Sequence, residues 1–464
     1  MNRRAFLMAV SGFAATTGPA HLSTPAIGGG KMAALPAPPA LGTDHVTYLE
    51  SYDPRASVAA ASYNRRTELT PQLRAVCKTS RAVSEVLGWA RQHDVPFSVR
   101  SGGHCFEGLS QNRVLVIDVR GLSHVTVDPT SQTISVGAGA SLADIYRVAG
   151  DHNLALPAGW CQSVGIAGHA LGGGIGFLSR AGGLACDTLQ SVDLVTADGR
   201  QRTASASENA DLYWASRGGG GGSFGIATSF RFKLMTVSKV VRFSAQFQIP
   251  PARAVEVLDA WSDWAVTAPD EISSEVSLSN YVNGQMFVYL FGMSLGDETT
   301  IRTDLERLRK IANANSAIHT KIETFKTASD AISPPDDYQR GSFKYKSDFI
   351  AHDATSGATR GVWTGLVETL GRYPTNAVKV QIQSYGGAIG RVQSDATAFP
   401  HRSLDLIGLQ YSAEFRKESQ IEERLAALSA VEAAMRPHVT GGRYVNYPDI
   451  DQPDYGTAYW GQNY

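Results

Sequence analysis

Residues 159–183 read GWCQSVGIAGHALGGGIGFLSRAGG and form the middle one of three glycine-rich segments. The other two are RSGGHCFEGLS at 100–110 and RGGGGGSFGIATSF at 217–230. Glycine lets the backbone come close to a flat or anionic group, and successive backbone N–H groups can cradle a pyrophosphate. Three such segments predict one large, extended dinucleotide ligand. The alternative is that each segment is only a tight turn.

Neither of the common phosphate-binding motifs explains these segments. No Gly-Lys-Ser/Thr follows any of them, and none is a clean GxGxxG with an acidic residue about 20 positions later. A nicotinamide-binding Rossmann domain is therefore poorly supported. Two reactive side chains lie within the segments, His104 after Gly102-Gly103 and Cys161 after Trp160. Taken alone, the first is compatible with a packed histidine and the second with a buried thiol.

Residues 45–238 alternate short β-rich stretches with helical ones. PQLRAVCKTSRAVSEVLGWARQHD predicts a strand followed by an amphipathic helix, and SLADIYRVAGDHN predicts a helix capped by its serine. Further strands are predicted in VPFSVRSGG, RVLVIDVRGL, QTISVGAGA and SVDLVTADGR. The pattern lacks a regular βαβ period, so it predicts an α+β fold rather than a doubly wound sheet.

From 239 to 440 the pattern changes to strands of alternating polarity, with long helical stretches between them. The strands are predicted in VVRFSAQFQI, SSEVSLSNYV, MFVYLFGMSL, KVQIQSYGGAI and LIGLQYSAEF. TIRTDLERLRKIANA and ESQIEERLAALSAVEAAM are predicted helices. These elements predict an antiparallel sheet covered by helices, which forms a second domain. The last residues, 441–464, are aromatic and polar without a clear period.

Composition excludes several classes of protein. The chain has 464 residues, of which 43% are hydrophobic and 18% are charged, so it has ample core material and is not a disordered chain. Its formal net charge of -1 gives no support to a nucleic-acid or anionic-membrane partner. The four cysteines form no CxxC pair, and the scattered histidines include no HExxH, so no metal site is expected.

The first 40 residues are interpreted as a signal peptide followed by a Pro/Ala-rich linker. Arg3 and Arg4 precede a short apolar stretch from Phe6 to Ala20, which is typical of a cleaved twin-arginine signal. The stretch is too short and too often interrupted by Gly and Pro to span a membrane. We therefore expect a secreted or periplasmic protein without a membrane anchor. A disordered tail with two chance arginines is the alternative.

The glycine segments and several later motifs resemble the berberine bridge enzyme-like flavoproteins of the vanillyl-alcohol-oxidase superfamily. The motifs that carry the resemblance are R-S-G-G-H at 100–104, C-x-x-V-G-x-x-G-H-x-x-G-G-G-x-G at 161–176, D-L-Y-W-A-S-R-G-G-G-G-G-S-F-G at 211–225, G-G-A-I near 386, A-F-P-H-R at 398–402 and Y-V-N-Y-P-D at 444–449. The resemblance implies a PCMH-type FAD-binding domain of two subdomains at 45–238, a substrate-binding domain at 239–440, and a return of 441–464 to the FAD-binding domain.

The resemblance also implies an FAD that is covalently attached at two positions. In the family, the histidine of S-G-G-H joins the 8α-methyl group of the flavin and the cysteine of C-x-x-V-G joins its C6. These residues correspond to His104 and Cys161, so a bicovalent flavin is expected. The other flavin-contacting residues implied by the resemblance are Arg100, Ser101, Gly102, Gly103, Val164, Gly165, Gly168, His169, Gly173, Gly174, Gly176, Ile226, Tyr444 and Asn446.

Two further positions concern the chemistry. A family position three residues after the flavin cysteine controls access of oxygen to the flavin, and Val164 occupies it here, which favours oxygen as electron acceptor. Simple core packing is the alternative. The family places a catalytic tyrosine at the end of Y-x-N-Y, which is Tyr447. A phenol with an ordinary pKa near ~10 needs nearby positive charge or a hydrogen bond to act as a base. An aromatic turn packed against the glycine loops is the alternative.

Substrate contacts are expected from the antiparallel sheet. Because strand side chains alternate, IQSYGG directs Gln381, Gln383 and Tyr385 to one face. Gln383 and Gln410 offer amide hydrogen bonds that suit a hydroxylated substrate, although both are also compatible with buried polar strand residues. Family members with ring-closing chemistry carry a glutamate where Gly408 stands, so that chemistry is not expected here.

Together, these features predict an exported FAD-linked oxidase. It would transfer hydride from a sugar, a glycosylated metabolite or a polyketide-type metabolite to flavin N5, and then reduce molecular oxygen to hydrogen peroxide. Two alternatives remain: a dehydrogenase that uses a quinone or protein acceptor, and a non-catalytic secreted protein that binds flavin or carbohydrate. The family pattern continues into a further helix beyond G-x-N-Y, whereas this sequence ends at Tyr464. A naturally short tail and a missing tail both remain open.

Overall fold

The structure is a computed structural model that describes residues 34–333, 340–352 and 358–464. The predicted twin-arginine signal lies outside the described residues. In the part of the chain that is described, no helix is both long and apolar enough to cross a membrane.

A four-stranded sheet opens the fold, in the order β1-β2-β4-β3, with β1 antiparallel to β2 and the other pairs parallel. The elements are β1 Val46–Glu50, α1 Pro54–Ala60, β2 Leu73–Cys77, α2 Ser80–Gln92, β3 Phe97–Arg100 and β4 Leu115–Asp118. The Thr79 hydroxyl caps α2 by accepting a hydrogen bond from the Ala82 amide at 3.2 Å. The predicted strand-and-helix unit is thereby confirmed, and β3 leads directly into the first glycine segment.

A five-stranded antiparallel sheet follows, in the order β5-β6-β10-β8-β9. Its strands, with the short pair β7 and β11, are β5 Val125–Asp128, β6 Thr133–Gly137, β7 Leu154–Ala155, β8 Leu189–Val195, β9 Gln201–Ser205, β10 Ile226–Lys233 and β11 Met235–Thr236. The helices between them are α3 Leu142–Gly150, α4 Ile166–Leu171, α5 Ser179–Gly182 and α6 Ala210–Ala215. Ser141 caps α3 as predicted, in a reciprocal capping box with Asp144. One continuous apolar core, which includes Ile117 and Phe230, joins the two sheets.

The third sheet has seven antiparallel strands in the order β15-β12-β14-β13-β17-β18-β16. The strands are β12 Val240–Ile249, β13 Ile272–Asn280, β14 Met286–Ser294, β15 Ile318–Glu323, β16 Ser342–Ala351, β17 Lys379–Ser384 and β18 Leu406–Phe415. The remaining helices are α7 Pro251–Thr267, α8 Glu298–Ala312, α9 Phe325–Ile332, α10 Ala358–Gly371, α11 Gly387–Arg391, α12 Ile421–Met435 and α13 Tyr455–Trp460. The predicted antiparallel sheet covered by helices is confirmed.

The two faces of this third sheet differ in chemistry, because side chains alternate along each strand. One face carries residues such as Leu290 and Ile382, which pack with Trp261 and Trp363 in a second apolar core. The opposite face carries polar residues, among them Glu275 on β13 and Gln383 on β17. This polar face meets the first two sheets, since Glu275 accepts a hydrogen bond from the Trp160 indole at 3.1 Å.

Buried ion pairs join the three parts of the chain. Lys344 on β16 contacts Glu107, which lies within the first glycine segment, at 2.8 Å, and Asp449 of the carboxyl-terminal segment at 2.7 Å. Lys346 contacts the second oxygen of Asp449 at 2.7 Å. Burial opposes ionisation of Asp449, yet the two lysines hold its pKa below the ordinary value. This cluster fixes the loop after His104 and the segment that bears Tyr447 against the same strand.

Candidate active site

Two of the glycine segments lie back to back. A methyl group on Gly102 would overlap the backbone nitrogen of Gly165, and one on Gly165 would overlap Gly102 in return. Ser101 secures the first segment by donating a hydrogen bond to the Ala138 carbonyl at 2.7 Å. The close approach of the two backbones is possible only because both positions lack a side chain, and it brings the loops that carry His104 and Cys161 together.

His104 and Cys161 converge on one hydroxyl group. The Ser163 Oγ lies 3.0 Å from His104 Nε2 and 3.7 Å from Cys161 Sγ. The Tyr63 ring stacks on the imidazole with 4.6 Å between the ring centroids. Burial, with smaller contributions from Arg100 and His169, lowers the pKa of His104 to about 3. The imidazole is therefore neutral near pH 7 and keeps a lone pair that can bond to carbon.

The third glycine segment joins the second through main-chain hydrogen bonds. The Gly218 and Gly220 amides donate to the Leu171 carbonyl at 3.0 and 2.9 Å. Trp460 donates from its indole to the Gly218 carbonyl at 3.0 Å. The three segments of the predicted dinucleotide site are thus assembled in one place.

Open space lies beside two glycines of this assembly. A Cβ on Gly168 or Gly222 would have no protein atom within 4 Å among those compared, and Gly222 has a φ of +76°. Protein packing therefore does not explain the missing side chain at Gly168. A ligand that passes close to the backbone would explain it, which is the arrangement expected of a dinucleotide cradle.

The other predicted cofactor positions have mixed surroundings. Arg100 is buried and directs its guanidinium to the Ala60 carbonyl at 3.2 Å and to the Ala61 carbonyl. The remaining glycines of the second segment are closely packed, and a Cβ on Gly176 would overlap the Ala158 carbonyl. Ile226 begins β10 and is buried in the core. Gly103, Gly173 and Gly174 have positive φ angles of +76°, +121° and +87°.

The Y-V-N-Y segment binds the second glycine segment. The Tyr444 hydroxyl accepts hydrogen bonds from the Gly174 amide at 2.8 Å and from the Asn446 amide group at 2.9 Å. Asn446 also donates to the His169 carbonyl at 2.9 Å. His169 itself accepts from the Gly159 amide at 2.9 Å, and burial lowers its pKa to about 4. Tyr444 and Asn446 therefore hold Tyr447 beside the glycine loops.

Tyr447 lies between aromatic rings and the polar face of the third sheet. Its ring is 4.8 Å from that of Tyr444 and 5.7 Å from that of Phe106. The Gln383 amide donates to its hydroxyl at 3.4 Å. Burial first, and then the negative charge of Glu275, raise the pKa of Tyr447 above its ordinary value. The expected hydrogen bond is present, but the charge that acts most strongly on the phenol is acidic.

Comparison with known proteins places this site in a family. Residues 71–205 match a family described as "FAD binding domain" and residues 443–464 match "Berberine and berberine like". The chain is 32% identical to "Uncharacterized FAD-linked oxidoreductase YgaK" of Bacillus subtilis, over 89% of this chain and 90% of that protein. It is 32% identical to "Berberine bridge enzyme-like D-1" of Nicotiana tabacum, over 80% of this chain and 70% of that protein. The chain belongs to the berberine bridge enzyme-like family of FAD-linked oxidoreductases.

A solved structure supports the same assignment. BBE-like 1 of Physcomitrella patens is 28% identical and superposes with a TM-score of 0.83, covering 90% of this chain and 92% of that one. The predicted PCMH-type α+β fold is confirmed. As a berberine bridge enzyme-like oxidoreductase, the protein uses FAD, and the cradle beside Gly168 and Gly222 fits such a group. The alternative of a non-catalytic binding protein is not retained.

Val164, the expected oxygen gate of this family, takes part in local packing. It is partly buried against the core of the first two sheets. Its amide donates to the Cys161 carbonyl at 3.2 Å, and its carbonyl accepts from the Leu142 amide at 3.0 Å. Its position next to Gly165 keeps it at the contact between the two glycine loops.

The predicted substrate residues divide into two groups. Gln383 faces Tyr447, and Gln410 is buried on the neighbouring strand β18, opposite Gln381. Tyr385 follows the end of β17 and lies in a small buried cluster, where its ring is 5.2 Å from that of Phe349. Gln383 therefore contacts Tyr447, whereas Tyr385 is buried against Gly408 on β18.

Glu275 was missed by the sequence analysis. It is 6% exposed and stands opposite Gln383 in the sheet. The signal was a lone acidic residue among serines in SSEVSLS, on the face that alternates with apolar residues. No group of three or more histidine, cysteine, aspartate or glutamate side chains that could hold a metal ion occurs within the ranges the structure describes.

Proposed function

We propose that this protein is an exported oxidase with a bicovalently attached FAD, and that it oxidises a hydroxyl group of a sugar, a glycosylated metabolite or a polyketide-type metabolite. The observation that carries the proposal is the convergence of His104 and Cys161 on Ser163. A histidine and a cysteine this close, each on a glycine loop of the FAD site, suit an isoalloxazine ring held from two sides.

The protein would supply nucleophiles for both linkages. Neutral His104 would bond to the 8α carbon in place of a methyl hydrogen, and the Cys161 sulfur would bond to C6 in place of the ring hydrogen. Each attachment is a two-electron oxidation, whose electrons the flavin would take up and pass to molecular oxygen. Ser163 contacts both side chains and would orient them before attachment. Two covalent links prevent loss of the cofactor outside the cell and change its electronic properties.

Tyr447 is proposed as the residue that takes the substrate hydroxyl proton. The bound FAD would supply the chemistry of hydride acceptance at N5 and of electron transfer to oxygen, which gives hydrogen peroxide. Gln383 and Gln410 would hold further hydroxyl groups through their amides. Tyr385 belongs to the buried cluster against which Tyr447 packs, and it would support the site there. Tyr447 is partly buried and its ring lies against those of Tyr444 and Phe106, which would limit access of water to the reacting hydroxyl.

Oxygen is proposed as the acceptor because a small branched residue, Val164, stands at the gate position. A same-fold dehydrogenase would instead pass electrons to a quinone or a protein. Catalase-sensitive peroxide production under air, measured while a panel of sugars and hydroxylated metabolites is screened, separates these outcomes.

The domain division and the route of export also remain proposals. Residues 45–238 with 441–464 would form the FAD-binding domain, and 239–440 the substrate-binding domain. Arg3 and Arg4 would direct the folded, cofactor-loaded protein through the twin-arginine route. Replacing both residues, Arg3→Lys with Arg4→Lys, should prevent export, and the amount of exported protein measures this directly.

The flavin linkage is tested by denaturation. Wild-type protein precipitated with acid should retain its yellow colour, and its intact mass should include one FAD. His104→Ala and Cys161→Ala should each leave one linkage, and the double variant should release all flavin into the supernatant. Cys105→Ala is the matched control, since this neighbouring thiol is expected to take no part. A wild-type polypeptide whose mass lacks FAD, despite ample riboflavin supply, would disprove the proposal.

A further inference from the structure

Only one carboxylate oxygen of Glu275 accepts hydrogen bonds from the described residues. Its Oε1 accepts hydrogen bonds from the Trp160 indole and the Gln383 amide, each at 3.1 Å. Its Oε2 is buried and has no hydrogen-bond donor among the described residues. Buried polar groups in native proteins nearly always have a partner, so this oxygen is available to a group that arrives during the reaction.

Gln383 links Glu275 to Tyr447. Its amide nitrogen lies 3.1 Å from Glu275 Oε1 and 3.4 Å from the Tyr447 hydroxyl. The carboxylate and the phenol are therefore neighbours on either side of one amide group. Trp160 directly precedes Cys161, so Glu275 is also tied to the loop of the proposed flavin cysteine.

The surroundings of Glu275 favour a carboxyl group that changes its protonation state near neutral pH. Burial raises its pKa to about 7, against smaller opposing contributions from the two hydrogen bonds and from Lys379 on β17. Phe291 stands opposite it on β14. The titratable and charged groups that act on this carboxylate or on its phenol partner are Lys379, Cys161, Tyr385, Tyr444 and Tyr447.

Tyr447 is poorly suited to keep a negative charge. Its hydroxyl is buried, and the neighbouring carboxylate opposes a tyrosinate. A proton taken from the substrate can reside on Tyr447 only if the phenol gives up its own proton at the same time. Glu275 is the carboxylate that can receive it, because its Oε1 shares the Gln383 amide nitrogen with the Tyr447 hydroxyl and its Oε2 has no donor among the described residues.

We propose that Glu275 is the final acceptor of the substrate hydroxyl proton, and that Tyr447 passes this proton on. The inference rests on the proposed function. As the substrate O–H bond breaks, an O–H bond forms on Tyr447, the phenol loses its original proton, and that proton bonds to a carboxylate oxygen of Glu275. The electron pair of the substrate C–H bond leaves as hydride to the FAD, so that atoms and charges balance.

The first test uses the substrate-free holoenzyme. Infrared difference spectra across the neutral pH range should contain a protonated-carboxyl band that disappears in Glu275→Gln and shifts in Tyr447→Phe, because Gln383 connects the two residues. Asp348→Asn is the control, since it removes another buried carboxyl of the same sheet whose pKa burial raises to about 6. A band that is unaffected by Tyr447→Phe, or one that survives Glu275→Gln, would overturn the proposal.

The second test measures the pH dependence of flavin bleaching under anaerobic conditions, with cellobiose as the probe alcohol. The wild-type rate should fall below neutral pH as Glu275 becomes protonated. Glu275→Gln should slow bleaching about 100-fold and remove the pH dependence of the rate. Glu275→Asp keeps a carboxylate and should restore part of both the rate and its pH dependence. An unchanged profile in Glu275→Gln, with bleaching still dependent on Tyr447, would refute the role of Glu275 and leave the proposed oxidase intact. Retention of flavin after acid precipitation reports on the proposed function separately.

Discussion

The ring of Tyr385, which follows β17, fills the space that a side chain at Gly408 on β18 would need. A Cβ on Gly408 would lie 2.5 Å from the ring of Tyr385, which is 1% exposed and packed against Phe349. In family members with ring-closing chemistry, a glutamate corresponds to Gly408. Here the tyrosine ring takes that place, so the absence of a glutamate is part of the packing of this site.

Gly408→Ala is therefore expected to destabilise the protein by about 1–3 kcal/mol, the usual cost of overpacking a core. Gly365→Ala in α10 is the matched control, because a Cβ there has no neighbour within 4 Å. In a helix this control should be neutral or stabilising by up to ~1 kcal/mol. Thermal unfolding of both holoproteins measures the difference, and equal unfolding temperatures would contradict the close contact.

Tyr447→Phe removes the hydroxyl that is proposed to take the substrate proton. We expect flavin reduction to slow by about 10²–10⁴-fold, the usual contribution of general acid–base catalysis. The ring should still pack against Phe106 and Tyr444, so covalent flavin should be retained. Anaerobic stopped-flow absorbance measures the rate. Tyr48→Phe, which removes a distant hydroxyl bonded to the Pro39 carbonyl at 3.0 Å, should reduce at the wild-type rate.

Glu275 should make stability depend on pH in a defined direction. Its pKa in the folded protein is about 7, above the ordinary value of 4.5, so the folded state binds more protons between these pH values. Stability contributed by this group is present at pH 4.5 and is lost as pH rises to 7, by roughly 3 kcal/mol at about 1.4 kcal/mol per pKa unit.

Glu275→Gln lacks this titration. Its unfolding temperature should therefore rise relative to wild type between pH 5 and about pH 8, as the wild-type carboxylate becomes charged in a buried site. Because the two proteins share all other titratable groups, the difference between their unfolding temperatures reports the titration of Glu275 alone. A constant difference across the range would show that Glu275 has an ordinary pKa.

Lys344→Met tests the buried ion cluster. The substitution leaves Glu107 and Asp449 as buried carboxylates with fewer cationic partners, and breaking such a pair typically costs about 3–5 kcal/mol. Lys326→Met removes a partly exposed pair with Asp330, 2.7 Å long and within one helix, and should cost at most about 1 kcal/mol. Urea denaturation compares the two. Similar losses would mean that the cluster is no more important than a surface pair.

The sequence was sufficient for those parts of the fold that depend on local patterns. The serine that opens SLADIYRVAGDHN predicts a capped helix, and in the structure Ser141 caps that helix in a reciprocal capping box with Asp144. The alternation in KVQIQSYGG likewise predicts a strand, and places Gln381 and Gln383 on one face. Glycine spacing combined with the family resemblance indicated an FAD site, and in the structure His104 and Cys161 contact the same hydroxyl group, that of Ser163.

The charge environment of Tyr447 could not be predicted in this way. Glu275 lies on a different strand, far from Tyr447 in sequence, and only sheet register places it opposite Gln383. The pairing of Lys344 with Glu107 and Asp449 likewise joins three distant segments. Such contacts depend on the tertiary fold, because neither the polarity of a residue nor its spacing specifies its partner across a sheet.

The row formed by Glu275, Gln383 and Gly408 across three adjacent strands has an evolutionary consequence. The Gln383 side chain has a neighbouring position on each adjacent strand, that of Glu275 and that of Gly408. A carboxylate at either position would lie beside the Gln383 amide without a change in the backbone. Related enzymes could thus exchange the position of their acid by substitution alone, at the positions of Glu275, Gly408 and Tyr385, without insertion or deletion. Such an exchange would reverse the side from which the proton departs, and could redirect the enzyme to a differently shaped alcohol while its hydride chemistry is preserved.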